Sequence, residues 1–251
     1  MKKIILPIAL LVLSVCTYAQ SFEIGVRYLA VSNWFFNSNV SNSNNDGVEN
    51  YQGVYSYSYG AQLAYNFSDH TGLEADVMLG TLSQNYNGNF SANGVMPSGT
   101  VYKQNEEFNS ESTVKVTQIP VFFRYLYGNG SYVAIGPEVG LITDANFNIT
   151  YTGGPISSSQ YNTANCYPSN YIAGVLSFGN NIRIHNGLFF NINLRFSYDF
   201  TDLHGVDAYG QKLDNQALYT GSPAWYSSYK PTHAASASFG LALIYRFGHD
   251  F

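Results

Sequence analysis

The fold is decided by the last stretch of the chain, 235–251, which reads ASASFGLALIYRFGHDF. Large apolar side chains fall on every second position of this stretch: Phe239, Leu241, Leu243, Tyr245 and Phe247. The positions between them carry Gly240, Ala242, Ile244 and Arg246. A period of two predicts a β-strand with two unlike faces, because successive side chains of a strand point to opposite sides. The chain stops on Phe251, at the parity of the apolar face.

Seven upstream stretches alternate in the same way, and polar or glycine-containing segments separate them. They run over about 22–36, 54–67, 72–86, a stretch ending at 127, a stretch starting at 131, 170–184 and 188–200. Short turns near 69, 129 and 186 alternate with long polar segments near 45, 97, 157 and 216. We therefore predict an all-β fold, an eight-stranded antiparallel up-and-down transmembrane β-barrel with short turns at one end and four long loops at the other.

The composition favours a membrane barrel. Aromatic residues make up 16% of the 251 residues and charged residues only 11%, whereas soluble domains carry about 25% charge. After the first 19 residues the sequence has no apolar run long enough for a transmembrane helix. Many aromatic side chains without a spanning helix are typical of a β-barrel with aromatic girdles.

The charged residues of the predicted strands share one face. All five arginines and five carboxylates lie on the polar parity: Arg27, Arg124, Arg183, Arg195 and Arg246, with Glu23, Glu74, Asp76, Glu138 and Asp199. An arginine facing lipid at mid-depth costs roughly 2–4 kcal/mol, so five would cost about 10–20 kcal/mol, more than the typical stability of a domain. We therefore expect these charges inside and the apolar face outside, the reverse of a soluble eight-stranded barrel. Because side chains just fill so narrow a barrel, the lumen should be plugged by a paired charge network.

The first 19 residues have the pattern of a secretory signal peptide. Two lysines precede an apolar run, and Thr17-Tyr18-Ala19 forms a small-x-small cleavage site. We expect cleavage after Ala19 and a single domain over 20–251; a lipoprotein signal ending at Cys16 is the alternative. The mature chain then carries 9 basic and 16 acidic residues, a net charge of −7, which argues against a nucleic-acid partner. Cys166 is left as the one cysteine, without an internal disulfide partner.

Two segments carry a family resemblance. The amphipathic final strand ending in Phe251 resembles the closing strand of bacterial outer-membrane β-barrels. Residues 116–143, VTQIPVFFRYLYGNGSYVAIGPEVGLIT, resemble the central hairpin of the PorT-like, porin-family barrels. The resemblance implies an integral protein of the outer membrane, surrounded by its lipids and lipopolysaccharide. It also implies that the last strand pairs with the first and is recognised by the barrel-insertion machinery. An even number of strands after a cleaved leader places both termini in the periplasm and the long loops outside.

Three functions remain open at this stage. The leading hypothesis is a non-enzymatic barrel whose outer loops serve surface binding or envelope integrity. A passive channel for small solutes is the alternative, and a membrane-embedded lipid-modifying enzyme is a third. Asp202, His204, Asp207 and His233 lie in or beside the last loop, but no spacing matches a ligand motif, so we expect no catalytic, cofactor or metal site. Aromatic residues in the same loop are candidate contacts for an unknown extracellular ligand: Trp225, Tyr226 and Tyr229.

Overall fold

The computed structural model describes residues 21–38, 49–95, 101–152, 159–208, 210, 212–213 and 230–248. The predicted leader over 1–19 and the terminal Phe251 lie outside these residues. Among the residues described, no helix is long and apolar enough to cross a membrane.

In the part of the chain that the structure describes, ten strands form one antiparallel sheet, and eight of them close a ring. The strands are β1 (Ser21–Phe36), β2 (Glu49–Gln52), β3 (Val54–Asn66), β4 (Thr71–Val95), β5 (Val101–Leu126), β6 (Ser131–Thr152), β7 (Ser159–Asn162), β8 (Asn170–His185), β9 (Leu188–Asp199) and β10 (His233–Gly248). The ring runs β1–β3–β4–β5–β6–β8–β9–β10 and returns to β1. β2 adds to β4, and β7 adds to β6. The predicted eight-stranded barrel is confirmed.

The closing strand pairs with the first strand along its whole length. The pairing runs from Ser21 opposite Gly248 to Phe36 opposite His233, over the 16 residues of each strand. β10 therefore joins the two ends of the sheet.

The two faces of the wall differ as the alternation predicts. On β1, Tyr28 is 49% exposed while its neighbour Leu29 is 3% exposed. The outward side chains of all eight ring strands include large apolar residues such as Leu63, Phe123, Ile135 and Leu194. The barrel therefore has a continuous apolar belt on its outside and a filled interior.

Within the described ranges, three tight turns lie at one end of the barrel, which we call the short-turn end. The opposite end is the long-loop end. At the second turn the Tyr127 amide donates to the Ser131 carbonyl, 2.8 Å away, and the Gly130 amide donates to the Tyr127 carbonyl. Gly130 and Gly187 adopt φ values of 87° and 73°. Glycine is suited to both positions because a Cβ disfavours positive φ.

The sheet extends further at the long-loop end than the sequence predicts. β4 and β5 are 25 and 26 residues long, so the polar segment expected as a loop near 97 is largely a hairpin. The segment expected as a loop from 145 contains the end of β6 and all of β7. We call this extension, formed by β2, β7 and the distal parts of β4, β5 and β6, the protruding sheet.

A β-bulge changes which side chains face inward in the protruding sheet. Lys115 on β5 pairs with Asp144 while Val116 pairs with Ile142, so Thr143 is the extra residue. A bulge places two residues opposite one and shifts the alternation beyond it. Before the bulge, odd-numbered side chains of β6 such as Val139 face outward. Beyond it, the odd-numbered Phe147 and Ile149 face inward and are only 0% and 4% exposed.

Candidate functional site: the filled lumen

A charge cluster occupies the ring on its inner side. We use this name for four arginines and three carboxylates that contact one another: Arg27, Arg124, Arg195, Arg246, Glu23, Glu74 and Asp76. The alternation of β1, β4, β5, β9 and β10 turns these side chains inward, and all but Arg246 are at most 5% exposed. Seven of the ten charges predicted for the lumen therefore meet in one cluster.

Glu23 and Glu74 each accept hydrogen bonds from two arginines, and Arg195 lies 3.8 Å from Glu74 as a third. Arg124 donates to Glu23 and to Glu74, both at 2.8 Å, and Arg27 donates to the other oxygen of Glu74 at 2.7 Å. Arg246 donates from Nε to Glu23 at 2.9 Å. Asn66 completes the shell of Glu23 with a 2.9 Å hydrogen bond. Charge-assisted hydrogen bonds of this kind satisfy ions that would be costly to bury alone.

Asp76 connects opposite walls of the barrel. It accepts a hydrogen bond from Arg27 and another, of 2.7 Å, from Arg195. Arg195 is on β9 and Asp76 on β4, which lie four strands apart in either direction around the ring. The Arg195 guanidinium also lies 4.7 Å above the ring of Phe122. These contacts cross the full width of the lumen at one level.

Two of the predicted lumen carboxylates are buried but stand apart from the cluster. Glu138 accepts hydrogen bonds from Gln118 at 2.9 Å and from the Tyr171 hydroxyl at 3.2 Å. Asp199, at the end of β9, accepts from the amide and the hydroxyl of Thr201 at 2.9 and 2.8 Å. Asp199 therefore orders the chain where it leaves the ring.

Arg183 departs from the expectation of a buried lumen arginine. Its residue is exposed, and its Nη2 donates to Asn186 in the adjacent turn. The register of β8 shifts between Arg183 and His185, at the rim of the short-turn end. Parity gives the direction of a side chain but not its depth along the barrel, and this arginine is at the rim.

A cap packs into the long-loop end of the barrel. We use this name for residues 163–167 together with 203–208, 210, 212 and 213. Leu203 and Tyr167 pack against inward side chains of the ring, including Phe35 and Val114. Further out, three cap residues pack into the protruding sheet, namely Val206, Ala208 and Leu213 against Tyr86, Phe108, Phe147 and Ile149.

Hydrogen bonds tie the two segments of the cap to each other and to the sheet. The Gly205 amide donates to the Cys166 carbonyl at 2.9 Å, and Ser110 donates to the Ala208 carbonyl at 2.7 Å. A 2.6 Å hydrogen bond joins the Ser112 and Tyr167 hydroxyls, and burial raises the pKa of Tyr167 to about 12. The cap is thus a folded part of the barrel.

The short-turn end opens into a cavity of about 540 Å³. Polar side chains in its wall include Asn66, His70, Asn181, Arg183 and Arg246. The cavity reaches the charge cluster, since Arg246 in its wall also contacts Glu23. We call this cavity the vestibule.

The other predicted candidates are spread over the structure. His204 Nδ1 lies 3.3 Å from Asp202 in a partly exposed pair, whereas His233 stacks on Tyr198. Within the residues described, no group of three His, Cys, Asp or Glu residues is arranged to hold a metal ion. The loop aromatics Trp225, Tyr226 and Tyr229 lie outside the residues that the structure describes.

The cap, and the side-chain amides that bind the lumen carboxylates, were not predicted from the sequence. Leu203, Val206 and Leu213 lie in a segment interpreted as a polar loop, and only their apolar character could have signalled burial. Gln118 and Asn66 lie on the polar parity of their strands, so the rule that located the arginines applied to them as well.

Comparison with known proteins identifies a family. The family model for the outer membrane protein beta-barrel domain matches residues 18–205. Among solved structures, Ail of Yersinia pestis is 9% identical, with 92% of this chain and 100% of that chain covered at a TM-score of 0.37. The protease OmpT of Escherichia coli is 10% identical over 92% and 98% of the two chains, with a TM-score of 0.40. The N-terminal barrel domain of OprF of Pseudomonas aeruginosa is 12% identical over 89% and 97%, with a TM-score of 0.32. No curated protein sequence matches.

Proposed function

Because the chain belongs to the outer membrane protein β-barrel domain family and is an integral barrel of the outer membrane, we propose that it acts as a non-conducting, non-enzymatic display protein. In this proposal the ring anchors the chain in the membrane, and the protruding sheet with its loops presents a rigid surface for binding or envelope integrity.

The contact between Arg195 and Asp76 carries the proposal. It joins opposite walls of the ring with a 2.7 Å hydrogen bond, and around it Arg27, Arg124, Glu23 and Glu74 are buried inside the ring. The cap adds a second closure at the long-loop end. If the lumen is filled, the protein must act through the surfaces of the molecule.

The proposed orientation puts the short-turn end in the periplasm and the protruding sheet outside the cell. Short periplasmic turns and long outer loops are the general pattern of such barrels, and both β1 and β10 have their chain-terminal ends at the short-turn end. The apolar belt would then contact outer-membrane lipids and lipopolysaccharide. The segment ending at Phe251 would be the signal for the insertion machinery.

Planar-bilayer recording on the refolded chain from residue 20 tests the closed lumen. We expect no steps of current above the baseline of the bilayer once insertion has been verified by protease protection. Steady conductance would instead favour a passive small-solute channel, for which the vestibule would be the periplasmic mouth.

Surface labelling of cells tests the orientation. In a Cys166→Ser background, Thr150→Cys places a thiol on the exposed face of the protruding sheet and Asn129→Cys places one in a short turn. A membrane-impermeant maleimide should label the first on intact cells and the second only after the outer membrane is permeabilised. The opposite pattern would reverse the proposed orientation.

A further inference from the structure

The vestibule at the short-turn end is large enough for a small organic molecule. Its volume of about 540 Å³ lies within the usual range of ligand sites, about 300–1,000 Å³. Apolar side chains share its wall with the polar ones, among them Leu126, Ile182 and Phe189. The vestibule therefore offers contacts both to a charged group and to the apolar body of a ligand.

The charge cluster beside the vestibule carries one positive charge in excess. Its four arginines contact three carboxylates. Within the described residues the buried Glu138 forms no ion pair, since its hydrogen-bond partners are the neutral Gln118 and Tyr171. A buried charge without a counter-ion is strongly destabilising. We therefore expect an anion from solution to bind where the cluster can be reached.

Arg246 is the member of the cluster that an anion can reach. Its side chain lines the vestibule and is 11% exposed, whereas the other six are at most 5% exposed. Its Nε and Nη2 both lie against one oxygen of Glu23, at 2.9 and 2.7 Å. The guanidinium also lies 4.4 Å above the ring of Phe189, so its plane is fixed. Nη1 makes no hydrogen bond within the described residues, which leaves the edge formed by Nη1 and Nη2 for a ligand.

Asn181 adds a second fixed donor to the wall of the vestibule. The residue is only 8% exposed. Its Oδ1 accepts a 2.7 Å hydrogen bond from Asn191, which sets the orientation of the amide. In the part of the chain that the structure describes, Nδ2 of Asn181 is accessible but has no acceptor. A nearly buried donor without a partner is costly, and a bound anion would remove that cost.

We propose that the vestibule binds a small organic monocarboxylate. Its carboxylate group lies against the Nη1–Nη2 edge of Arg246 and accepts a hydrogen bond from Asn181 Nδ2, while its apolar body contacts Phe189. Arg183 and Asp69 also lie in the wall, but both are exposed, so water and salt screen their charges.

A carboxylate fits this site better than other anions. Its single negative charge balances the single excess charge of the cluster, whereas a phosphate carries about −1.5 to −2 at neutral pH. The planar fork of a guanidinium matches the two oxygens of a carboxylate, and a chloride ion would leave the apolar wall without contacts. The site is additional to the proposed display function and does not rest on it.

Fluorine NMR of the solubilised chain tests the site. The refolded chain from residue 20 in decyl maltoside micelles is titrated with 4-fluorobenzoate and, separately, with 4-fluorobenzamide. The neutral benzamide has nearly the same shape and measures the contribution of apolar contacts and of the micelle. We expect the dissociation constant of the benzoate to be about tenfold lower than that of the benzamide, the effect of one good polar contact.

Two site variants and a matched control locate the binding. Asn181→Asp keeps the acceptor for Asn191 but replaces the Nδ2 donor by a carboxylate oxygen, and Arg246→Gln removes the guanidinium while leaving three cluster charges of each sign. Each should weaken binding of the benzoate by about tenfold or more. Asn129→Asp makes the same exchange at an exposed turn in the same wall, where its oxygen still accepts from the Ser131 amide. This control should bind like the parent chain.

The comparison of ligands and variants decides the proposal. Preference for the benzoate in the parent and in Asn129→Asp, with loss in the site variants, would establish the site. Equal affinity for benzoate and benzamide, displacement of the benzoate by equimolar phosphate or chloride, or equal weakening by the two Asn→Asp variants would overturn it. Heat-modified gel migration verifies folding, and Asn181→Asp decides alone if Arg246→Gln does not fold. Because binding is measured in micelles, its outcome is independent of the bilayer recording and of the orientation in the membrane.

Discussion

The charge cluster has one more positive than negative side chain, because four arginines contact three carboxylates. Asp76 neutralises Arg27 and Arg195 together. Asp76→Asn would therefore leave four cations against two carboxylates, and we expect it to lower the free energy of unfolding by about 3–5 kcal/mol, the usual cost of breaking a buried pair. Arg195→Met leaves three of each sign and should cost clearly less. Guanidinium titration of the barrel in lipid vesicles measures both.

An exposed carboxylate provides the control at the same scale. Asp144 pairs with Lys115 at 2.9 Å outside the ring, and the hydrogen bond from Lys115 lowers the pKa of Asp144. Asp144→Asn should leave the free energy of unfolding close to that of the parent chain, as substitutions on the surface usually do. Equal losses from Asp76→Asn and Arg195→Met would show that charge balance does not govern the cluster.

At the scale of elements, the extra residue of β6 decides which side of the protruding sheet is apolar. Deleting Thr143 removes the bulge but keeps Ala145 and Phe147 facing inward, so the cap should stay packed. Deleting Asn146 either turns Phe147 outward or forces Asp144 into the core, and losing a buried phenylalanine costs about 3–5 kcal/mol. Hydrogen exchange of the amides at 203–208 measures the difference.

We expect the deletion of Thr143 to leave this exchange close to that of the parent chain, and the deletion of Asn146 to speed it by about a hundredfold or more, the equivalent of about 3 kcal/mol. Ring amides such as that of Leu243 should keep their protection in both variants. Equal exchange in the two deletions would mean that the bulge does not set the facing of β6.

The bulge is a feature of the fold that the alternation of the sequence does not predict. Alternation located all eight ring strands and the inward face of Arg27, Arg124, Arg195 and Arg246, because a buried charge and a lipid-facing apolar side chain are costly to exchange. By its odd number Phe147 would be expected to face outward like Val139. Nothing in the sequence marks the bulge that turns its side chain inward. The depth of Arg183 and the packing of Leu203 depend on contacts between distant segments, which alternation does not report.

At the scale of the whole molecule, three layers of different chemistry follow one another along the barrel axis. The vestibule is polar, the charge cluster is ionic, and the core of the cap is apolar. The ionic layer lies within the lipid belt, where the wall shields it from water, and the apolar layer lies beyond the belt, where burial from water stabilises it. Each layer therefore has the chemistry that its surroundings favour, and in the proposed function the ionic and apolar layers would each close the lumen for a different physical reason.

If the charge cluster and the cap each close the lumen, removing either one alone should leave the barrel without ion conductance. Replacing 205–229 by a short Gly/Ser linker removes half of the cap, including Val206, Ala208 and Leu213, which pack into the protruding sheet. The linker can span the gap because the Leu203 amide already donates to the Thr232 carbonyl at 2.9 Å. We expect no conductance from this variant. We also expect none from the double variant Arg195→Ala/Phe122→Ala with the cap intact, in which the guanidinium and the ring beneath it are removed together. The chain that combines both changes should conduct in steady steps in a planar bilayer. Conductance from the cap deletion alone would show that the Arg195–Asp76 contact does not close the lumen, because nothing else in that variant has changed at the level of the charge cluster.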